Sequence, residues 1–204
     1  MTEDLFQQLD GATPLDAEDA KGLIPTWVAT RAELNSVEQE NIAKAIAWSA
    51  AVARTGSVGS LMTEESIGAL HRRMFGDVWK WAGRYRQHDT NLGVHWPYIS
   101  THVGELLADV LAQTAEPDDL PWPADELAVR FHHRLVVIHA FPNGNGRHAR
   151  LAADLLVQAL ARPAFSWGSG NPNGPGDARR AYLGALRVAD DRCDYAPLVE
   201  FAHS

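Results

Sequence analysis

At 204 residues, 46% of them hydrophobic, the chain is long enough for one domain of ordinary size with a real core and at most a small appendage. Its 18 basic residues against 26 acidic ones leave a net charge of -8, which excludes broad electrostatic attraction to nucleic acid or anionic membrane and makes any basic function local. The single cysteine, Cys193, excludes an internal disulfide, and its neighbours Asp190, Asp191 and Asp194 disfavour a thiolate nucleophile; a reducing, cytoplasmic setting fits best.

The first residues, MTEDLFQQLDGATPL, are acidic and have neither the basic flank nor the apolar run of a signal peptide. No run of about 18 apolar residues occurs, so no membrane contact is expected. Residues 1–30 hold Pro14 and Pro25 with little periodicity and read as an extended arm against the body. From 31 to 54, Leu34, Val37, Ile42, Ala45, Ile46 and Ala53 recur at helical spacing and predict a first amphipathic helix. A second helix begins at Thr63, an N-cap followed by Glu64 and Glu65 at the positive end of the dipole, and stops at Gly76.

The helical period is lost between Trp79 and Pro97, where two short strands around Asp89–Gly93 predict a small exposed hairpin, a flap over about 83–98. Helices are predicted again at Ser100–Thr114 and Ala124–His139, the latter carrying Leu127, Phe131 and Leu135 at four-residue spacing. A break at Pro142–Gly146 leads into a helix from Arg147 to about Ala161. The Gly/Pro/Asn patch Gly168–Gly176 then precedes a last helix near Asp177. The expectation is one all-α domain over 31–204, a bundle of about six to eight helices with one β-hairpin flap.

Chemistry concentrates in His139-Ala-Phe-Pro-Asn-Gly-Asn-Gly-Arg-His-Ala-Arg150. The turn Asn143–Gly146 separates two helices, so backbone amides converge at the start of the second, where glycines allow close approach and the dipole favours an anion. Arg147 and Arg150 fall three apart on the first turn of that helix, and guanidinium forks suit phosphate oxygens. His139 closes the preceding helix, within reach of a phosphate held by the loop, as a general base for an incoming hydroxyl. A Gly-Asn-Gly turn is by itself commonly a helix cap, and a lone histidine is commonly packed; the co-occurrence of base, anion nest and two forks points to a site. His132, His133 and His148 lack the acid spacing of a metal site, and His132 lies on the Ala128/Phe131/Leu135 face as a packed imidazole. Trp79 and Trp81 read as packing at the flap base.

The segment resembles the signature of the Fic (filamentation induced by cAMP) family, H-x-F-x-[D/E]-G-N-G-R-x-x-R, at His139, Phe141, Gly144, Asn145, Gly146, Arg147 and Arg150. The resemblance implies protein adenylyl transfer, in which His139 deprotonates a Ser, Thr or Tyr hydroxyl of a target protein that attacks the α-phosphate of ATP. Gly144, Asn145 and Gly146 would then cradle the phosphates, Arg147 and Arg150 would hold the β- and γ-phosphates, and Phe141 would anchor the loop. It also implies that the flap aligns the target by strand addition, and that residues 177–201 close the base side of the nucleotide. With TPLDAEDAKGLIP and FHHRLVVIHAFPNGNGRHARLAADLL, the chain is similar to the subgroup called mobile mystery protein B, for which a helix-turn-helix protein is the expected partner.

One position departs from the signature. Asn143 stands where the family carries the acid that holds Mg²⁺, and an amide oxygen lacks the charge hard cations favour, so weakened or indirect metal binding is expected. In the first helix, Ser36-Val-Glu-Gln-Glu40-Asn41 resembles the family's inhibitory pattern [S/T]-x-x-x-E-[G/N], which implies that Glu40 pairs with Arg150 and blocks the γ-phosphate subsite. The readings carried forward are an adenylyltransferase braked by Glu40, a de-AMPylating enzyme on the same scaffold, and a catalytically quiet nucleotide-binding regulator. Direct binding to nucleic acid is not expected.

Overall fold

The computed structural model describes residues 16–170 and 175–204; residues 1–15 of the expected arm and 171–174 of the Gly/Pro/Asn patch lie outside the described residues. Short polar caps set the helix starts. Thr30 accepts from the Glu33 amide while the Glu33 carboxylate accepts from the Thr30 amide, a capping box that opens α2 (Arg31–Ala53) after the single turn α1 (Ala17–Ala20). A second box between Ser57 and Ser60 opens the single turn α3 (Val58–Leu61). Thr63 caps α4 (Glu64–Phe75), which ends at Gly76 as expected. A 3₁₀ turn at Trp96–Tyr98 leads into α5 (Ile99–Gln113), followed by α6 (Ala124–Ile138), α7 (Asn145–Ala159), α8 (Pro175–Arg192) and α9 (Ala196–His203). Among the described residues the fold is therefore all-α, with nine α-helices of which two are single turns.

Helix α7 is the central element. Ala149, Leu151, Ala152, Ala153, Leu155, Leu156 and Val157 are all buried, an apolar surface on nearly every side, which only a helix enclosed by others can keep. It packs on α6 and also touches α2, α3 and α4, while α6 is flanked by α5 and α9. The first turn of α7 and the last turn of α6 therefore meet where the chemistry-bearing segment lies.

Two expectations are corrected. The buried face of α2 is Leu34, Glu38, Asn41, Ala45, Ser49 and Ala53, and Ile46 is half exposed. Three polar groups sit inside because each has a partner: Glu38 binds Trp79 and Arg147, Asn41 binds Asp77, and Ser49 donates to the Ile46 carbonyl. The segment 83–98 forms no strand pair; it is a loop whose backbone bonds go elsewhere, Arg86 N–H to the Ala140 carbonyl and Val94 N–H to the Ile138 carbonyl. Those bonds compete directly with a hairpin ladder. At its base Trp79 stacks on Trp81 at 5.0 Å, and its backbone bridges to Leu23.

Candidate active site

His139 ends α6 in a left-handed conformation (φ 55°, ψ 55°), its amide still bonded to the Leu135 carbonyl. The next residues turn back under the control of one side chain. Asn145 accepts from the Phe141 amide (2.9 Å) and donates to the Phe141 carbonyl (2.7 Å), so a buried carboxamide closes the loop on itself. Gly144, at φ 78°, then caps α7; a Cβ there would meet the Phe75 ring at 2.5 Å, so both the backbone sign and the space require glycine. Asn145, Gly146 and Arg147 follow as the first helical residues, whose N–H groups have no intrahelical acceptor. At Gly146 a Cβ would stand in ordinary contact with the Tyr182 hydroxyl, at 3.6 Å.

The two arginines leave this turn on different sides. Arg147 lies over the Phe75 ring, 4.9 Å from its centroid, and its Nη1 is 2.7 Å from Glu38. Arg150 lies 5.4 Å over the Tyr182 ring of α8, its Nε 3.4 Å from the Gly146 carbonyl, and burial lowers its pKa. They flank the start of α7, one toward α2 and α4 and the other toward α8.

His139 has 8% of its surface accessible. Burial is the largest cause holding its pKa down to about 4; a long contact from Nδ1 to the Val136 carbonyl (3.4 Å) works in the opposite direction, and the Arg86 charge adds to the depression. The ring is therefore neutral at physiological pH. With the Nδ1 proton directed at Val136, Nε2 carries the lone pair, the form a general base needs.

Two site residues were missed in the sequence. His71 of α4 is fully buried, with Nε2 donating to the Asn143 carbonyl (3.1 Å), Nδ1 accepting from the Gly83 amide (3.0 Å), and its ring stacked on Phe141 at 3.8 Å. It ties α4, the flap base and the loop together. Arg86 is the second, a buried guanidinium on the backbone carbonyls of His139 and the flap. Nothing in local periodicity marks either position, since each acts on backbone remote in the chain.

Residues 61–157 match the Fic/DOC family. They form a Fic domain. Among curated proteins, the protein adenylyltransferase fic-1 of Caenorhabditis elegans is 30% identical over 138 residues, covering 67% of this chain and 26% of that protein. Its Caenorhabditis briggsae counterpart is 29% identical over the same share of each chain. The chain thus spans about a quarter of the length of the curated relatives it matches. Among solved structures, the BepC protein of Bartonella tribocorum with bound AMPPNP superposes with a TM-score of 0.66 at 15% identity, covering 92% of this chain and 97% of that one. Residues 134–508 of Fic-1 from Caenorhabditis elegans give 0.60 at 23% identity, covering 91% and 52%. These likenesses establish the fold.

Around this Fic domain some expected roles move. Glu40 does not meet Arg150; it is 72% exposed in its side chain and pairs with Lys44 at 3.1 Å, while Ser36 is exposed on the same helix. The carboxylate that reaches an arginine of the signature is Glu38, 7% exposed, with one oxygen on Arg147 and the other accepting from the Trp79 indole N–H at 2.8 Å. Asn145 spends its side chain on Phe141, so only its backbone is placed for an anion. The Asn143 oxygen accepts from the Gly144 amide at 2.6 Å, and no group of three His, Cys, Asp or Glu among the described residues could hold a metal ion. A neutral amide already committed to its own loop does not fit the role of a Mg²⁺ ligand. His132, His133 and His148 are packed imidazoles bound to the Tyr182 hydroxyl, Asp190 and the Ile67 carbonyl.

Proposed function

We propose that the chain is a protein adenylyltransferase that moves AMP from ATP to a Ser, Thr or Tyr hydroxyl of a target protein. The observation that carries the reading is a neutral, largely buried imidazole, His139, held beside a glycine-lined helix start that bears two arginines. In the step proposed, the target hydroxyl oxygen bonds to the α-phosphorus as His139 Nε2 takes its proton, the bond to the bridging oxygen breaks, and pyrophosphate leaves. The first-turn amides of α7 with Arg147 and Arg150 orient the polyphosphate and offset its charge. Support for nucleotide as substrate comes from relatives named protein adenylyltransferase and from neighbours solved with AMPPNP and with ADP. Incubation of the Glu38→Gln chain, freed of the carboxylate on Arg147, with ATP labelled at the α-phosphate should place label on protein, lost when His139→Ala is added. Tight ATP binding without label would overturn the reading in favour of a quiet nucleotide-binding regulator, the alternative that the Asn143–Gly144 contact favours.

A helix carboxylate as brake belongs to the same proposal, with Glu38 in place of Glu40: an arginine held by a carboxylate is not available to a phosphate. We take 31–204 as one working Fic domain, the loop 83–98 as the docking edge for the target, and the cytoplasm as its setting. No helix of the described residues is long and apolar enough to cross a membrane. On TPLDAEDAKGLIP and the long run through the signature we place the chain in the mobile mystery protein B subgroup, with a helix-turn-helix partner that co-purification would test.

A further inference from the structure

We propose that Arg86 is a positioning residue for the transfer reaction: its buried guanidinium binds the carbonyls of His139 and Ile138 on one side and of His88 and Val94 on the other, locking the flap onto the backbone of the base. The inference rests on the adenylyl-transfer reading for its functional consequence, and on geometry for the rest.

Nε donates to the His139 carbonyl at 2.7 Å, Nη1 to His88 at 2.8 Å, and Nη2 to Val94 at 2.5 Å with a longer contact to Ile138 at 3.5 Å. The side chain has no exposed surface, and the carboxylate beside it, Asp89, is 3.7 Å away and 55% exposed. A cation buried mainly on backbone carbonyls, with its one nearby carboxylate largely in solvent, is costly, which directs attention to what it holds in place. What it holds is the end of α6, whose last carbonyls have no intrahelical donor and sit at the negative end of the dipole. The guanidinium satisfies them and brings in the flap with its remaining N–H groups.

Three further contacts fix the same geometry. Arg86 N–H donates to Ala140 and Val94 N–H to Ile138, so both ends of the 86–94 loop bind the backbone on either side of His139. Gly93 (φ 102°) lies directly on the histidine; a Cβ there would stand 2.6 Å from His139 Cβ and 2.6 Å from Arg86 Nη2. The left-handed backbone of His139, unfavourable for a residue with a Cβ, persists only where its surroundings over-determine it. The Arg86 charge reaches the imidazole, and Asp89 faces Arg86 itself.

The test uses the whole chain with Arg86→Gln, which loses charge and fork, and Arg86→Lys, which keeps the charge and loses the fork. Hydrogen exchange at the Arg86-position and Val94 amides should speed by about tenfold or more in both variants, while Leu70 and Met74 in α4 stay protected. The His139 ring, followed by NMR, should titrate higher in Arg86→Gln than in the native chain and stay low in Arg86→Lys. Turnover of AMP transfer should fall about tenfold in both with the KM for ATP changed by less than about threefold. Unchanged flap exchange and unchanged His139 titration in both variants would overturn the proposal. If the native chain transfers no label, exchange and titration still decide the role of Arg86, so the two failures are distinct. If Arg86→Gln does not fold, Arg86→Lys gives the exchange result alone, and protection equal to the native chain refutes the lock.

Discussion

Replacing Asn145 with alanine separates two roles for this side chain. Its carboxamide satisfies both the N–H and the C=O of Phe141, at 2.9 and 2.7 Å, in a place where Asn145 is 4% exposed and Phe141 1%. Truncation strands one donor and one acceptor, each worth about 1–3 kcal/mol when buried. With some relaxation the loss is about 3–4 kcal/mol, and at about 2–4 °C per kcal/mol for a chain of this length the melting temperature falls by about 6–16 °C. Asn145→Asp sharpens the test: it keeps an acceptor for the Phe141 amide but sets an oxygen against the Phe141 carbonyl, so it should destabilise at least as much. Scanning calorimetry and ATP titration, run together, read the result. An Asn145→Ala chain that melts within about 2 °C of the native one yet no longer binds ATP would refute the clamp and return the side chain to the nucleotide.

Acid should destabilise the fold well above the carboxylate range. His139 and His148 have folded pKa values lowered to about 4 by burial, and His71 and His132 are pushed well below their ordinary value for the same reason. The unfolded chain therefore binds more protons between about pH 6.5 and 4, and stability falls as pH drops through that window. Asp154, raised to about 6 by burial, works in the opposite direction but is one group against four. His139 and His148, set against Asp154, give a net loss of about 2 kcal/mol between pH 7 and pH 5, to which His71 and His132 add; urea melts should show it, and equal midpoints would contradict it. Gly144→Ala should lose more than about 2 kcal/mol, from positive φ and the Phe75 contact, with partial recovery on adding Phe75→Leu; a neutral result in denaturant melts would mean the turn is not held as described. Glu38→Gln keeps an oxygen for the Trp79 indole and removes the charge from Arg147, so self-labelling with ATP should rise several-fold; an unchanged rate removes Glu38 as the brake.

The sequence made the helices legible where a cap met a clean period, as at Thr63 to Gly76, or where the period alone was strong, as at Ala124 to His139. A helix opening out of the glycine turn, with Arg147 and Arg150 near its start, was legible from turn chemistry and spacing, although the helix begins at Asn145 rather than at the expected Arg147. Helix phase in α2 was not, because its inward face carries Glu38, Asn41 and Ser49, whose partners come from elsewhere in the chain or, for Ser49, from its own helix backbone. Residues 38 and 40 lie about 200° apart around a helix, so placing one inside puts the other in solvent. A short pattern that names a glutamate without fixing the phase chooses between opposite faces. The loop at 83–98 misled for a related reason: its alternation and turn residues suit a hairpin, yet Arg86 draws both edges onto 138–140 instead. Contacts from side chain to distant backbone leave no local trace.

The ring at position 71 spends both of its nitrogens on main chain, one giving and one receiving, while its face lies flat against Phe141. No other side chain supplies that combination. Phenylalanine keeps the stacking and abandons two backbone groups; asparagine offers a donor and an acceptor on too short an arm. Natural drift at this position should therefore be accompanied by compensating change at Gly83 or in the turn around Asn143, and a relative that has lost the imidazole is one in which the path of the chain at both places has been redrawn.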